Sequence, residues 1–125
     1  MLQDSPVIPY IPASDLARAR KFYEEKLGLK PAIEANGGLL YNFGDGSTAF
    51  MYVSQGAGTS KASQLFWNVK DVKSEVTELK SRGVVFEEYD FPGMKMEGSI
   101  ATGGGAMAAW FKDSEGNIMA IVQSI

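Results

Sequence analysis

The chain contains no histidine and no cysteine. The first absence removes the commonest transition-metal ligand and the usual general base. The second removes disulfides, thiolate metal sites and a cysteine nucleophile. Neither a Ser–His nor a Cys–His catalytic pair is available. No apolar run approaches the length of a membrane span. Basic residues are not concentrated either: 12 Lys and Arg stand against 15 Asp and Glu, for a formal charge of −3. Nucleic-acid phosphates demand a basic face, so neither a nucleic acid nor a membrane is an expected partner. The first residues, Met1-Leu2-Gln3-Asp4-Ser5-Pro6, lack the basic and apolar regions of a signal peptide. Nothing calls for an oxidising compartment, and the cytoplasm is the expected location. Gly103-Gly104-Gly105 is not followed by the lysine and Ser/Thr of a phosphate loop.

What is present is a repeat. Asp15 to Gly28 and Asp71 to Gly83 each read as a capped amphipathic helix ended by glycine. Ser14 or Asp15 caps the first helix, and Leu16, Ala19, Tyr23 and Leu27 share one face. Asp71 caps the second, with a stripe of Val72, Val76 and Leu79. A short apolar strand precedes each helix, at 7–11 and 64–69. Pro9 and Pro12 make the first of these an edge or irregular strand. Strands follow at 30–34, 39–43 and 48–53 in the first half, and at 84–88, 106–111 and 118–123 in the second. Asn36-Gly37-Gly38 reads as a turn. With 125 residues, the expected organisation is one α+β domain of two βαβββ modules: module one at 5–53, a Gly/Ser-rich linker at 54–62, and module two at 63–125. The halves differ most at 89–105, a Met/Gly-rich stretch that reads either as a lid or as a surface excursion packing its own methionines.

These residues resemble a known family. Asp15-Leu16, Arg18, Phe22-Tyr23 and Leu27-Gly28-Leu29 are similar to the first-helix signature of the vicinal oxygen chelate superfamily. That superfamily includes glyoxalase I, bleomycin-resistance proteins and extradiol dioxygenases. Phe111-Lys112-Asp113-Ser114-Glu115-Gly116-Asn117 looks like its closing-hairpin signature. The resemblance implies a curved mixed sheet around a central groove, with helices packed on the other side. It also implies metal ligands on the first and last strand of each half. Those positions fall near Ile8, Gln64, Phe50 and Ala120. Only Gln64 among them can coordinate, and one neutral amide does not hold a divalent ion. No metal and no other cofactor is therefore expected.

Strand side chains alternate faces. If Gln64 lines the groove, so do Phe66 and Asn68. Tyr10 joins Ile8, and Thr48 and Tyr52 join Phe50. The expected groove is thus Ile8, Tyr10, Thr48, Phe50, Tyr52, Gln64, Phe66, Asn68 and Ala120, apolar and aromatic with a few polar groups. Trp67 falls on the opposite face and reads as core, whereas Trp110 reads as groove or subunit contact. The carboxylates of Glu34, Glu87, Glu88, Asp90 and Glu97 read as solvated charges, and no catalytic residue is identified. The function expected from this pattern is metal-independent binding of a small apolar or aromatic molecule, as in drug or toxin sequestration. The alternative is a glyoxalase-like lyase or isomerase, or a dioxygenase-type enzyme, with an atypical site. A homodimer is expected, paired through the strand edges at 7–10 or 64–67.

Overall fold

The computed structural model describes residues 1–35 and 37–124. Asp15 caps the first helix, α1 (Leu16–Leu27): its carboxylate accepts from the Arg18 N–H at 3.0 Å. Gly28 ends the helix in the left-handed region, φ 71°, which glycine enters without steric cost. Asp71 caps the second helix, α2 (Val72–Ser81), through the Ser74 N–H at 3.2 Å. Arg18 and Ser74 are thus equivalent residues, each the third of its helix.

Two mixed sheets carry the helices. In the first, β1 (Tyr10–Ala13), β4 (Thr48–Val53), β3 (Gly38–Asn42) and β2 (Ile33–Ala35) lie in that order, β1 running parallel to β4. In the second, the order is β5 (Ser63–Asn68), β10 (Ile118–Ser124), β9 (Ala106–Lys112), β8 (Ile100–Gly103) and β7 (Lys95–Glu97), with β5 parallel to β10. A two-residue strand, β6 (Phe86–Glu87), also pairs with β9. This is the two-module α+β architecture that the repeat implies.

Alternate residues divide the sheets into two faces. Ile11, Ala13, Leu39, Tyr41, Ala49 and Met51 of the first sheet are buried, as are Ala109, Phe111, Met119 and Ile121 of the second. They form one core with Ala19 and Tyr23 of α1 and Val72, Val76 and Leu79 of α2. Trp67 packs at the edge of that core, stacked on Phe111 with centroids 6.3 Å apart, as its strand position requires.

Several expectations shift. The first strand starts at Tyr10 rather than at residue 7, and Val7 and Ile8 precede it. Pro9 has no N–H to donate, although its carbonyl still accepts from Phe50 N–H at 2.9 Å. The strand expected at 30–34 lies at Ile33–Ala35, after Pro31. The one expected at 84–88 shortens to β6, with Val85 exposed. The turn at 36–38 falls partly on residue 36, which lies outside the described residues. Within 89–105 the chain forms the β7–β8 hairpin, which extends the second sheet. The linker is pinned rather than loose: Gly58 N–H donates to Asn117 Oδ1 at 3.2 Å.

Candidate functional site

The sheet face turned away from the helices is built by strand alternation alone. Its rows follow from register. Leu40, Phe50 and Tyr10 lie side by side across β3, β4 and β1. Phe66, Ala120 and Trp110 do the same across β5, β10 and β9. Tyr10 meets Phe50 edge-on at 6.1 Å and Tyr52 at 4.7 Å. Trp110 meets Phe91 at 5.2 Å and Tyr89 at 5.6 Å. Beside that second cluster is a hollow of about 160 Å³ reaching Lys61 and Ile118. Tyr10 and Phe66 are each 60% exposed. Gly38 lies opposite Tyr52 in β3, and a Cβ on it would collide with the Phe50 ring and the Met51 carbonyl. This glycine therefore lets the Phe50 ring lie flat over the sheet.

Tyr10, Thr48, Phe50, Tyr52, Phe66 and Asn68 all lie on this open face by their register. Ile8 stands before β1, half exposed, and is not part of the strand row. Ala120 lies in the row but is buried, 3% exposed, flanked in register by Phe66 and Trp110. A molecule on the face meets those rings rather than the alanine methyl. Gln64 is already engaged: its Nε2 donates to the Tyr10 carbonyl at 2.9 Å, linking the edges of the two sheets within one chain. Part of both edges expected to meet another chain is used in this way.

The donor chemistry does not fit a metal. Ile8, Phe50 and Ala120 offer no ligand atom, and Gln64, its Nε2 bonded to Tyr10 O, offers a single neutral amide oxygen. Among the described residues, no three His, Cys, Asp or Glu side chains come together in a metal-binding group. Three of the five carboxylates read as solvated are ion-paired on the surface: Glu34 with Arg20, Glu87 with Lys112 at 3.7 Å, and Glu97 with Lys95 at 3.7 Å.

The polar cluster that sequence reading missed is the turn at 113–117, which clasps module one. Glu115 accepts from Arg18 through both oxygens at 2.9 Å, from Asp15 N–H at 2.9 Å, from Ser14 Oγ at 3.1 Å and from Ser114 Oγ at 2.8 Å. Burial pushes its pKa up, but these bonds outweigh burial and hold it at about 2. Asp113 Oδ2 accepts from Tyr23 Oη at 2.7 Å and Asn117 Nδ2 at 3.0 Å, while Oδ1 takes the Glu115 and Asn117 N–H groups. Burial dominates at Asp113 and raises its pKa against those bonds; it likewise raises that of Tyr23, together with the Asp113 charge. Asn117 Nδ2 also donates to the Pro12 carbonyl at 2.7 Å. The motif is visible in the sequence, but its partners lie 90 or more residues away.

Beside the module-one turn at 43–47 a cleft of about 420 Å³ stays open. Phe43, Asp45, Thr48, Phe66, Trp67 and Asn68 contribute to its lining. On the helix side, a gap of about 130 Å³ between the helices is bounded only by apolar residues such as Leu27, Leu79 and Trp67. Among the described residues, no helix is long and apolar enough to cross a membrane.

Comparison with known proteins agrees with this architecture. A bleomycin-binding protein, solved in complex with bleomycin, superimposes with a TM-score of 0.72 at 18% identity, covering 97% of this chain and 99% of its own. A glyoxalase/bleomycin resistance protein/dioxygenase from Alicyclobacillus acidocaldarius gives 0.71 at 21% identity, covering 98% and 92%. A bleomycin resistance determinant encoded on the transposon Tn5 gives 0.69 at 18%, covering 96% and 98%. At these identities the likeness establishes the fold. No curated protein matches the chain significantly. The family model described as Glyoxalase/Bleomycin resistance protein/Dioxygenase superfamily matches residues 6–121, and the chain belongs to that superfamily.

Proposed function

We propose that this protein binds a small, flat, largely apolar organic molecule on the open sheet face without a metal ion, in the manner of a sequestering protein. The observation that carries this reading is the row of rings around Phe50 and Ala120. Where relatives with metal chemistry are expected to place ligands, this chain places a phenyl ring and a methyl group. Tyr10, Tyr52, Phe66 and Trp110 extend the apolar surface, while Thr48 and Asn68 supply orienting polar groups. The resemblance to a bleomycin-binding protein supports a ligand-holding role. A second copy of the chain covers part of the face in this reading, because Val7, Ile8, Tyr10 and Phe66 leave apolar surface exposed.

The test is fluorescence titration with N-phenyl-1-naphthylamine, a neutral flat probe, in the presence of a chelator and again with added zinc, nickel, iron or manganese. The expected result is saturable binding with the same affinity in every case. Binding or turnover that requires metal contradicts the proposal and favours the lyase, isomerase or dioxygenase alternative. Sedimentation equilibrium showing only monomer at micromolar concentration contradicts the dimer.

A further inference from the structure

The two modules close their last hairpins with turns at matching sequence positions that share one backbone bond, although Asp45 is left-handed, φ 55°, where Glu115 is not. Phe43 N–H donates to Ser47 O at 2.8 Å, and Asp113 N–H donates to Asn117 O at 3.0 Å. Aligning the turns pairs Asp45 with Glu115 and Ser47 with Asn117; aligning the helix caps pairs Ser74 with Arg18 and Asn68 with Pro12. In module two's turn, the carboxylate of Glu115 meets the guanidinium of Arg18, and the joint is filled. In module one's turn the carboxylate survives as Asp45, but serine has replaced the cation. Beside Asp45 lies the 420 Å³ cleft, walled by the turn, β4, β5 and the approach to β1 rather than by α2. Among the described residues, the side chains of Asp45, Thr48 and Asn68 that line it make no hydrogen bond or ion pair with the protein. Ser47 also lines it, its hydroxyl bonded to Gly44 O, and the other walls are apolar, aromatic or glycine, including Phe43 and Phe66.

We infer that this cleft binds a small organic ammonium ion carrying an apolar or aromatic body. The ammonium takes the part at Asp45 that Arg18 plays at Glu115. The exposed ring of Phe66 adds an aromatic surface of the kind that attracts cations. The Asn68 carbonyl oxygen and the Thr48 hydroxyl accept its remaining donors. The inference rests on the open-face reading to the extent that Thr48, Phe66 and Asn68 belong to both, and it names the ligand class for that end of the face.

The experiment is a ¹H–¹⁵N correlation titration of the full chain with 2-phenylethylammonium. The probe of opposite charge, 3-phenylpropanoate, and neutral N-phenyl-1-naphthylamine serve as comparators. The amine should move the amides of residues 44–48 and 66–68 saturably, and the acid should not. Asp45→Asn should weaken the amine by about tenfold with an unchanged unfolding midpoint. Equal binding of amine and acid, or wild-type affinity in Asp45→Asn, overturns the inference. If the neutral probe binds at Phe50 while the amine does not bind, the inference falls and the open-face reading stands. If neither binds, both fall.

Discussion

The turns at 43–47 and 113–117 occupy equivalent places and share a backbone bond, yet only the second is tied to the opposite module by a charge network. Where module two uses Asp113 against Tyr23, the equivalent positions hold Phe43 and Leu79. Where Asn117 reaches the Pro12 carbonyl, Ser47 bonds back to Gly44 within its own turn, at 2.7 Å. The duplicated fold therefore does not duplicate its chemistry. One joint is a fastener between modules, and beside its counterpart lie an open cleft and polar side chains without a protein partner among the described residues.

The strongest way to break this comparison is to remove the carboxylate from each turn. Glu115→Ala orphans the Ser14 hydroxyl and the Asp15 N–H, and urea unfolding should show a loss of about 2–3 kcal/mol. The share due to Arg18 is discounted, since half of that side chain is in water. Asp45→Asn, which removes the charge while keeping a side chain suited to the left-handed backbone at φ 55°, should change stability by no more than about 0.5 kcal/mol. Equal losses at both positions would mean that the joints are not different. Next in size, Tyr23→Phe removes a buried bond to Asp113 and should cost about 1–2 kcal/mol in the same measurement.

A smaller effect appears in acid. Glu115 titrates at about 2 when folded, against an ordinary value of 4.5. A lowered folded pKa contributes stability that is present above the unfolded value and lost as pH falls through the folded one. Stability should therefore decline between these two values, and Glu115→Gln should flatten that decline. Asp113 acts in the opposite sense: its raised folded pKa favours the fold at low pH, a contribution lost as pH rises, which blunts the net slope. An unaltered pH profile in Glu115→Gln would remove Glu115 as the source.

The parts of this structure legible in the sequence are those set by local rules. Asp15 and Asp71 cap helices through bonds three residues away, and the stripe Val72, Val76, Leu79 is buried as its spacing requires. The face assignment of Phe50, Phe66 and Trp67 follows from alternation once the strands are found. The rest depends on distant partners. Nothing near Glu115 reveals that it bonds to Arg18, and nothing near Gln64 reveals that Tyr10 takes its amide. The hairpin within 89–105 escaped because Lys95–Glu97 and Ile100–Gly103 are short and glycine-flanked, with too few residues to display a period. The β-branched neighbourhood of Ile8 predicts a strand there, but the strand begins beyond Pro9.

The assignment of the open face is tested most directly by two adjacent residues, Phe50 and Met51, which point to opposite sides of β4. Phe50→Ala should weaken N-phenyl-1-naphthylamine binding by about 1–3 kcal/mol, the scale for burying one aromatic side chain, and leave the melting temperature nearly unchanged. Met51→Ala should do the reverse, costing about 2–5 kcal/mol of stability from the buried core. Calorimetric titration and thermal unfolding of both variants provide the readout. Unaltered affinity in Phe50→Ala together with a large fall in melting temperature would contradict the account, because it would make Phe50 a core residue and leave the open face without its central ring.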